Sequence, residues 1–283
     1  MPHGTRRVGD VEIVALCDGV VGTDAATQSF PGASTAAWAE TRERYPEVFD
    51  GDGWRLHVHA YLLRAGTRRM LVDTGIGPET APAFAWTRTG GALDTELDGA
   101  GITPDDIDTV VLTHVHDDHV GWNIDPETGR PRFENARYVL HRADWDTLRE
   151  SDDDEDRAIF EATLAPLERF GALDLVEVPV ELLDGIVVRH APGHTPGHQI
   201  VTIDSRDDRA TLTADLFNNP VMLLQPGVNG DTDTDPELAA RTRFDVIATI
   251  QAEDRIVIPA HLPEPFGRVS RDGDRHAWVP EAD

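Results

Sequence analysis

Residues 113–119 contain four side chains that can bind a metal ion: His114, His116, Asp118 and His119. They follow residues 108–112, an apolar run that predicts a short buried strand. In an extended segment, residues two apart point to the same side, so His114 and His116 can face one point. The turn that follows directs Asp118 and His119 to a neighbouring point. Imidazole and carboxylate groups suit a borderline divalent ion such as zinc, and without an ion such a cluster would be hard to satisfy.

Three further candidate ligands each stand alone at the end of a predicted strand or in a rigid turn: His194, Asp215 and His261. His194 lies between two Pro-Gly pairs, which predict a turn that holds the imidazole in place. Asp73 ends the predicted strand 68–73. Its carboxylate can orient a metal-binding histidine from behind or stabilise the turn, and these two roles are compatible.

The elements that must position these residues are mostly strands with helices between them. Strands are predicted at 8–18, 54–64, 68–73, 136–141, 174–180, 185–189, 199–204, 209–214 and 255–259, helices at 34–44, 91–101, 142–150, 157–170 and 235–252, and a hairpin at 267–279. This order favours two layers of sheet flanked by helices. We expect a single domain over residues 1–283, with the irregular segment 20–54 as a lid or pocket wall.

Composition limits the partners. The formal net charge is -27 and all 25 basic residues are arginine, so the surface repels nucleic acid and anionic membranes. Adaptation to high salt and a GC-rich genome are both compatible with this composition. The absence of a long apolar run predicts a cytoplasmic protein without a membrane partner. The single cysteine, Cys17, lies in an alternating strand pattern that predicts a buried structural thiol.

The motif HxHxDH, followed by His194, Asp215 and His261, resembles the ligand pattern of the metallo-β-lactamase-fold hydrolases. The resemblance extends from residues 71–75 to 259–261. Residues 192–198, 260–263 and the closing hairpin are most similar to the group that contains methyl parathion hydrolase and related lactonases. This resemblance implies an α+β fold, the four-layer αβ/βα sandwich of the metallo-β-lactamase fold.

The resemblance also implies two divalent metal ions, with zinc as the first expectation and iron, manganese or cobalt as alternatives. It places His114, His116 and His194 on one ion. It places Asp118, His119 and His261 on the second ion, with Asp215 bridging both. Such a pair of ions, about 3.5–4 Å apart, can share the hydroxide that attacks the substrate. Asp118 and Asp215 are the catalytic carboxylates in this scheme, and Asp73 and His198 support the ligands from behind.

The expected substrate is a small, apolar molecule with an ester, lactone or phosphotriester bond. Aromatic and sulfur-containing side chains are the candidates for its pocket, with core packing as the alternative for each: Trp122, Phe217, Trp86 and Met222. Lactonases of acyl-homoserine lactones carry a tyrosine between the bridging aspartate and the last histidine. This chain has none in that interval, which argues against the same carbonyl-polarising step. A β-lactamase is disfavoured because those enzymes generally lack the bridging carboxylate.

Two alternatives remain open: an iron-dependent redox or sulfur-handling member of the same superfamily, and a non-catalytic metal-binding protein. Metal analysis separates them, since two zinc-like ions, bound iron and one inert ion are the respective expectations. The sequence leaves open the physiological substrate, the metal in the cell and the oligomeric state, for which a homodimer is one option.

Overall fold

The computed structural model describes residues 4–225, 227–273 and 275–281. Its strands are β1 Thr5–Val8, β2 Val11–Ala25, β3 Phe49–Asp50, β4 Gly53–Ala65, β5 Arg68–Val72, β6 Thr109–Val111, β7 Arg137–His141, β8 Leu173–Val176, β9 Val180–Leu183, β10 Ile186–His190, β11 Gln199–Ser205, β12 Asp208–Ala214, β13 Ile256–Pro259, β14 Gly267–Asp272 and β15 Arg275–Pro280. Its α-helices are α1 Ala26–Ser29, α2 Thr35–Arg44, α3 Phe84–Thr87, α4 Leu93–Gly99, α5 Asp117–Val120, α6 Arg142–Glu150, α7 Asp154–Ile159, α8 Ala165–Arg169, α9 Val221–Leu224 and α10 Pro236–Ala252. Short 3₁₀ turns lie at Pro46–Val48 and Pro104–Asp106.

The chain forms two compact units, each built from two separate stretches of sequence. The first unit comprises Met1–Gly19 and Val58–Val180, and the second comprises Val20–His57 and Glu181–Asp283. Strands β2 and β4 each contribute residues to both units.

The strands of the first unit belong to a sheet with the order β1-β2-β4-β5-β6-β7-β8. From β5 to β8 the pairing is parallel. The parallel strands β5, β6 and β7 are short and buried, as expected for strands that are covered on both faces. The core packed against them includes Leu71, Val110, Tyr138, Trp145 and Leu164.

The sheet of the second unit has the order β15-β14-β13-β12-β11-β10-β9. The pairs β10–β11, β11–β12, β13–β14 and β14–β15 are antiparallel, whereas β12 and β13 run parallel. The long helix α10 precedes β13, as a crossover between parallel strands requires. Asp235 caps this helix by accepting a hydrogen bond from the backbone N–H of Leu238 at 2.9 Å.

Residues 20–57 are held inside the second unit by hydrogen bonds to distant parts of the chain. The hydroxyl of Tyr45 donates to the carbonyl of Trp278 at 2.8 Å. Gln225 accepts a hydrogen bond from the backbone N–H of Ser34 at 2.8 Å and donates one to the carbonyl of Gly32 at 2.9 Å. This segment also buries aromatic rings against one another, among them Phe30, Trp38 and Trp54.

Most predicted elements are confirmed within a residue or two, and helix 142–150 has the predicted bounds. The first strand was predicted to end at residue 18, but β2 continues to Ala25. The single strand predicted at 174–180 was wrong, because β8 ends at Val176 and β9 begins at Val180, after Pro179, which has no N–H to donate in a sheet. The prediction of one helix over 157–170 was wrong, because the segment divides into α7, a π-helical turn at Phe160–Leu164, and α8. Pro166 explains the interruption, since its ring blocks an ordinary helical hydrogen bond in the preceding turn. Strand β1 was not predicted. Among the described residues, no helix is long and apolar enough to cross a membrane.

Candidate metal centre

In the first unit, the candidate ligands follow the ends of two neighbouring parallel strands. Strand β5 ends at Val72, which is paired in register with Val111 of β6. The carboxyl ends of parallel strands meet at one edge of a sheet, so Asp73 and the HxHxDH motif emerge side by side. Asp73 has a left-handed backbone with φ +60, and its N–H donates to the carbonyl of Val111 at 2.9 Å.

The side chains of the motif converge as the spacing predicts. Nε2 of His114 lies 3.1 Å from Nδ1 of His116. The rings of His114 and His119 are 4.0 Å apart, and Nε2 of His119 lies 3.8 Å from Oδ2 of Asp118. His114 and His119 are both at most 1% exposed. Buried ring nitrogens that face one another at such distances are the arrangement that a shared cation would stabilise.

Asp73 fixes the orientation of this group. Its Oδ2 accepts from Nδ1 of His119 at 2.8 Å and from the hydroxyl of Thr113 at 2.8 Å. The Thr113 oxygen in turn lies 3.1 Å from Nδ1 of His114. In a neutral imidazole whose Nδ1 carries the proton, the lone pair is on Nε2, the atom that can bind a metal.

A second buried aspartate, Asp18, organises the loops around the motif. It is 1% exposed and accepts hydrogen bonds from the backbone N–H of Ile76 at 2.7 Å, the backbone N–H of Leu93 at 2.6 Å and the indole of Trp122 at 3.0 Å. Burial raises the pKa of Asp18 to about 6, and these donors oppose the rise. Asp18 was not predicted as a site residue, because a single aspartate after a strand is typical of any turn.

The second unit repeats the arrangement at the ends of its own parallel pair. Ala214, the last residue of β12, is in register with Pro259, the last residue of β13. Asp215 and His261 therefore emerge side by side, with Nε2 of His261 3.1 Å from the Asp215 carboxylate. Nε2 of His194 lies 3.4 Å from Oδ2 of the same carboxylate. Ala214 has a left-handed backbone with φ +45, an unfavourable conformation for a residue with a Cβ atom.

Both histidines of the second unit also have their Nδ1 atoms engaged. Nδ1 of His194 donates to Oδ1 of Asp233 at 2.9 Å, and Nδ1 of His261 donates to the carbonyl of His57 at 2.8 Å. Burial lowers the pKa of His194, but Asp215 and Asp233 outweigh that effect and raise it to about 9. Two carboxylates that attract a proton to this buried imidazole attract a metal cation in the same way.

His198 and Asn218 hold Asp215 in place. Nε2 of His198 accepts the backbone N–H of Asp215 at 3.2 Å, and its Nδ1 donates to the carbonyl of Ala191 at 3.0 Å. The amide of Asn218 donates to Oδ2 of Asp215 at 3.0 Å. Neither Asn218 nor Asp233 was predicted as a site residue. Both lie in polar loops in which many residues could have filled the same role.

The four candidate pocket residues differ in how much surface they expose. Trp86 is 41% exposed, and its indole donates to Oδ2 of Asp117, inside the motif, at 2.9 Å. Trp122, Phe217 and Met222 are at most 8% exposed, and the indole of Trp122 is engaged by Asp18. Of the four, Trp86 has the surface available for contact with a small molecule.

The donor set fits a borderline divalent cation. It consists of imidazole nitrogens and carboxylate oxygens, in groups that could hold a metal ion. In each unit, Nδ1 of at least one histidine donates a hydrogen bond to a carboxylate or a backbone carbonyl. Metal-binding histidines typically make such a bond with the ring nitrogen that does not bind the metal.

Comparison with known proteins agrees with this chemistry. The model of the metallo-beta-lactamase superfamily matches residues 53–261. An N-acyl homoserine lactonase of Bacillus sp is 27% identical over 187 residues, 59% of this chain and 68% of that protein. An N-acyl homoserine lactonase of Bacillus thuringiensis is 26% identical over 227 residues, 73% of this chain and 81% of that protein.

Among solved structures, the dizinc quorum-quenching lactonase AidC superimposes with a TM-score of 0.87 at 21% identity, over 99% of this chain and 97% of that one. The hydrolase AbOPH of the beta-lactamase superfamily gives a TM-score of 0.86 at 23% identity, over the same shares of the two chains. At these identities the similarity establishes the fold.

The chain belongs to the metallo-β-lactamase superfamily, and it is a hydrolase with the fold of that family. The predicted family and fold class are thereby confirmed. The histidine and aspartate groups described above support the use of a divalent metal ion.

Proposed function

We propose that this protein is a dinuclear metal-dependent hydrolase that cleaves an ester or lactone bond in a small, apolar substrate. The proposed ligands are the four side chains of the motif and three from the second unit: His114, His116, Asp118, His119, His194, Asp215 and His261. The observation that carries the proposal is that Nδ1 of His119, His194 and His261 is each held by an oxygen acceptor, while Nε2 of His194 and His261 both face the carboxylate of Asp215.

When bound, two divalent ions, which we propose are zinc, supply the hydroxide nucleophile near neutral pH and neutralise negative charge on the substrate. The protein contributes orientation and proton transfer. Asp73 and Asp233 fix the tautomers of His119 and His194, while His198 and Asn218 fix the position of Asp215. We assign to Asp118, at the edge of the motif, the proton released by the attacking water.

The substrate class rests on two kinds of support. The matched relatives are N-acyl homoserine lactonases, whose substrates are lactones that carry an acyl chain. In this chain, Trp86 offers an exposed apolar ring beside the motif. We propose that the ring contacts the apolar part of the substrate, and that residues 20–54, anchored through Tyr45 and Gln225, form a fixed pocket wall.

The proposal is tested with a panel of chromogenic esters, lactones, phosphotriesters and β-lactams on metal-loaded protein, together with metal analysis. We expect two zinc-like ions per chain and hydrolysis of esters or lactones. Cleavage of phosphotriesters alone would contradict the substrate class. Bound iron without hydrolysis would favour the redox alternative.

His116→Ala and Asp215→Ala are expected to lower hydrolysis by at least about a thousandfold and to reduce the metal content, because each removes a proposed ligand. The measurements are kcat/KM and metal stoichiometry after dialysis. His276→Ala is the matched control, since His276 lies on β15 and is outside the proposed ligand set. Full activity in either ligand variant would refute the assignment.

A further inference from the structure

We infer that Arg243 is a positioning residue that sets how tightly the ligands of the second unit hold a metal ion. The inference rests on the proposed function and deepens it. Arg243 lies on α10 and is 4% exposed. The partners of its guanidinium group described below are not among the proposed ligands. It acts through the main chain after Asp215 and through Asp233.

The guanidinium group of Arg243 connects two segments that carry the site. Its Nε donates to the carbonyl of Leu216, the residue after Asp215, at 2.7 Å. Its terminal nitrogens donate to the carbonyl of Val228 at 2.8 Å and to Oδ1 of Asn229 at 3.3 Å. One of them also lies 3.6 Å from Oδ2 of Asp233.

Asp233 transmits this position to His194. Its Oδ1 accepts from Nδ1 of His194, while its Oδ2 accepts the backbone N–H of Gly230 at 3.1 Å and faces Arg243. The carboxylate is therefore held on both oxygens, and the imidazole has a single favourable orientation. The buried guanidinium group of Arg243 thus positions two side chains. It positions His194 through Asp233, and Asp215 through the backbone of Leu216.

The geometry requires arginine. The planar guanidinium reaches several acceptors in fixed directions at once, whereas the ammonium group of lysine is a single point charge on a flexible stem. Burial lowers the pKa of Arg243 to about 10 while Asp233 opposes the change, so the group stays charged at neutral pH. A lysine at this position keeps the charge but cannot reach Leu216, Val228 and Asp233 together.

Helix α10 supports the same loop by other contacts. The hydroxyl of Thr242 donates to the carbonyl of Pro192 at 2.7 Å. The backbone N–H groups of Thr234 and Asp235, the two residues before the helix, donate to the carbonyls of His194 at 3.0 Å and Gly193 at 2.9 Å. The loop that carries His194 therefore already rests on this helix, and Arg243 adds the link from the same helix to the segment that carries Asp215.

The test compares Arg243→Lys with Arg255→Lys in the full-length chain. Arg255 is a matched control, because it is 7% exposed and donates to the carbonyl of Ala210 and to Asp204, away from the proposed ligands. Zinc affinity is measured by competition with a chromophoric chelator, and the cobalt-loaded proteins are compared by their visible absorption spectra. We expect Arg243→Lys to weaken one of the two ions about 10–100-fold and to alter the cobalt spectrum. Arg255→Lys should change neither, although it lowers the unfolding temperature.

A second pair of variants tests the relay through Asp233. Asp233→Asn keeps an oxygen acceptor for His194, whereas Asp233→Leu removes it, so the leucine variant should lose more zinc affinity than the asparagine variant. If Arg243→Lys does not fold, Arg243→Gln, which keeps a planar donor group, replaces it in the same comparison.

The inference and the proposed function fail in different ways. If the wild-type protein binds two ions and hydrolyses substrate while Arg243→Lys binds both ions equally well, the positioning role is wrong and the proposed function stands. Equal losses in Arg243→Lys and Arg255→Lys would likewise reduce Arg243 to a structural residue. A wild-type protein that binds no divalent ion would overturn the proposed function and this inference together.

Discussion

The proposed metal-binding histidines of the two units are held in place by groups outside the proposed ligand set. Asp73, Asp233 and the carbonyl of His57 each hold one ring nitrogen, and each comes from a part of the chain far from the histidine it serves. A hydrogen bond of this kind selects one tautomer and limits ring rotation. The side chains then lose less conformational freedom when an ion binds, and the affinity for the ion is higher.

Cys17 gives a prediction that does not involve the proposed ligands. Burial, reinforced by the nearby Glu96, raises the pKa of its thiol to about 12. At pH 8 only about one thiol in ten thousand is ionised, so iodoacetamide should label the native protein very slowly and the urea-unfolded protein readily. Rapid labelling of the folded protein, measured by mass spectrometry, would contradict this burial.

The same shift predicts how stability changes at alkaline pH. The unfolded thiol ionises near pH 9 and the folded one near pH 12, so the unfolded state loses its proton first. The free energy of unfolding should therefore fall as the pH rises above 9. In Cys17→Ala this decline should be shallower, as measured by urea titration at pH 8 and pH 10. Parallel declines in the two proteins would assign the effect to other groups.

At the scale of single residues, the sequence predicted what repetition and spacing can encode. The motif HxHxDH is dense enough to be recognised alone, and Asp73 stands at a clear strand end. Arg243 gave a signal that was overlooked: it occupies a buried position in the helical stripe of Ala239, Ile247 and Ile250, where a charge requires a partner. Asp233 gave no such signal, because it is one of several acidic residues in a polar loop.

At the scale of elements, both units place their ligands by the same device. Each has a pair of adjacent parallel strands, β5 with β6 and β12 with β13, and the candidate ligands emerge where those strands end. The strands were predictable from their apolar runs. Their pairing was not, because a single sequence contains no record of which distant strands lie side by side. Pro166 indicated that helix 157–170 would be interrupted. Nothing in the sequence indicated that the interruption would take the form of a π-helical turn.

The contact between the His194 loop and α10 predicts an effect of one added methyl group. Gly193 has φ +130, and a Cβ atom there would lie 2.2 Å from the backbone nitrogen of Ala239. We expect Gly193→Ala to lower the free energy of unfolding by more than about 3 kcal/mol, because both the strain and the overlap must be relieved. Urea unfolding of the metal-free protein measures this.

Gly66→Ala provides the control for that measurement. Gly66 has φ +61, and nothing lies within 4 Å of the position of its Cβ. Gly66→Ala should lower the free energy of unfolding by about 1 kcal/mol, from backbone strain alone. Equal losses in the two variants would show that the approach of α10 to the loop is looser than described.

At the scale of the whole molecule, the large negative net charge should make thermal stability depend on salt. A net charge of -27 with arginine as the only basic residue type produces self-repulsion that salt screens. We expect the unfolding temperature to rise by several degrees between about 0.1 M and 1 M chloride, as the screening length falls from about 10 Å to 3 Å. Sodium and potassium chloride should act alike, since screening depends on ionic strength. An unfolding temperature that is independent of salt would argue against adaptation to high salt and leave genome composition as the explanation.

The division of the chain has a consequence for its synthesis on the ribosome. Residues 20–57 are translated long before the groups that hold them, among them Gln225 and Trp278. The bond from Tyr45 to Trp278 spans 233 residues of sequence. Until Gln225 and Trp278 have left the ribosome, Ser34 and Tyr45 lack these hydrogen-bond partners, so the segment that contains the aromatic rings is not yet anchored while most of the chain is being made. Slower translation of the codons for residues 225–278, or depletion of chaperones that shield nascent chains, should therefore reduce the soluble yield of this protein more than that of a protein whose early segments pack against one another.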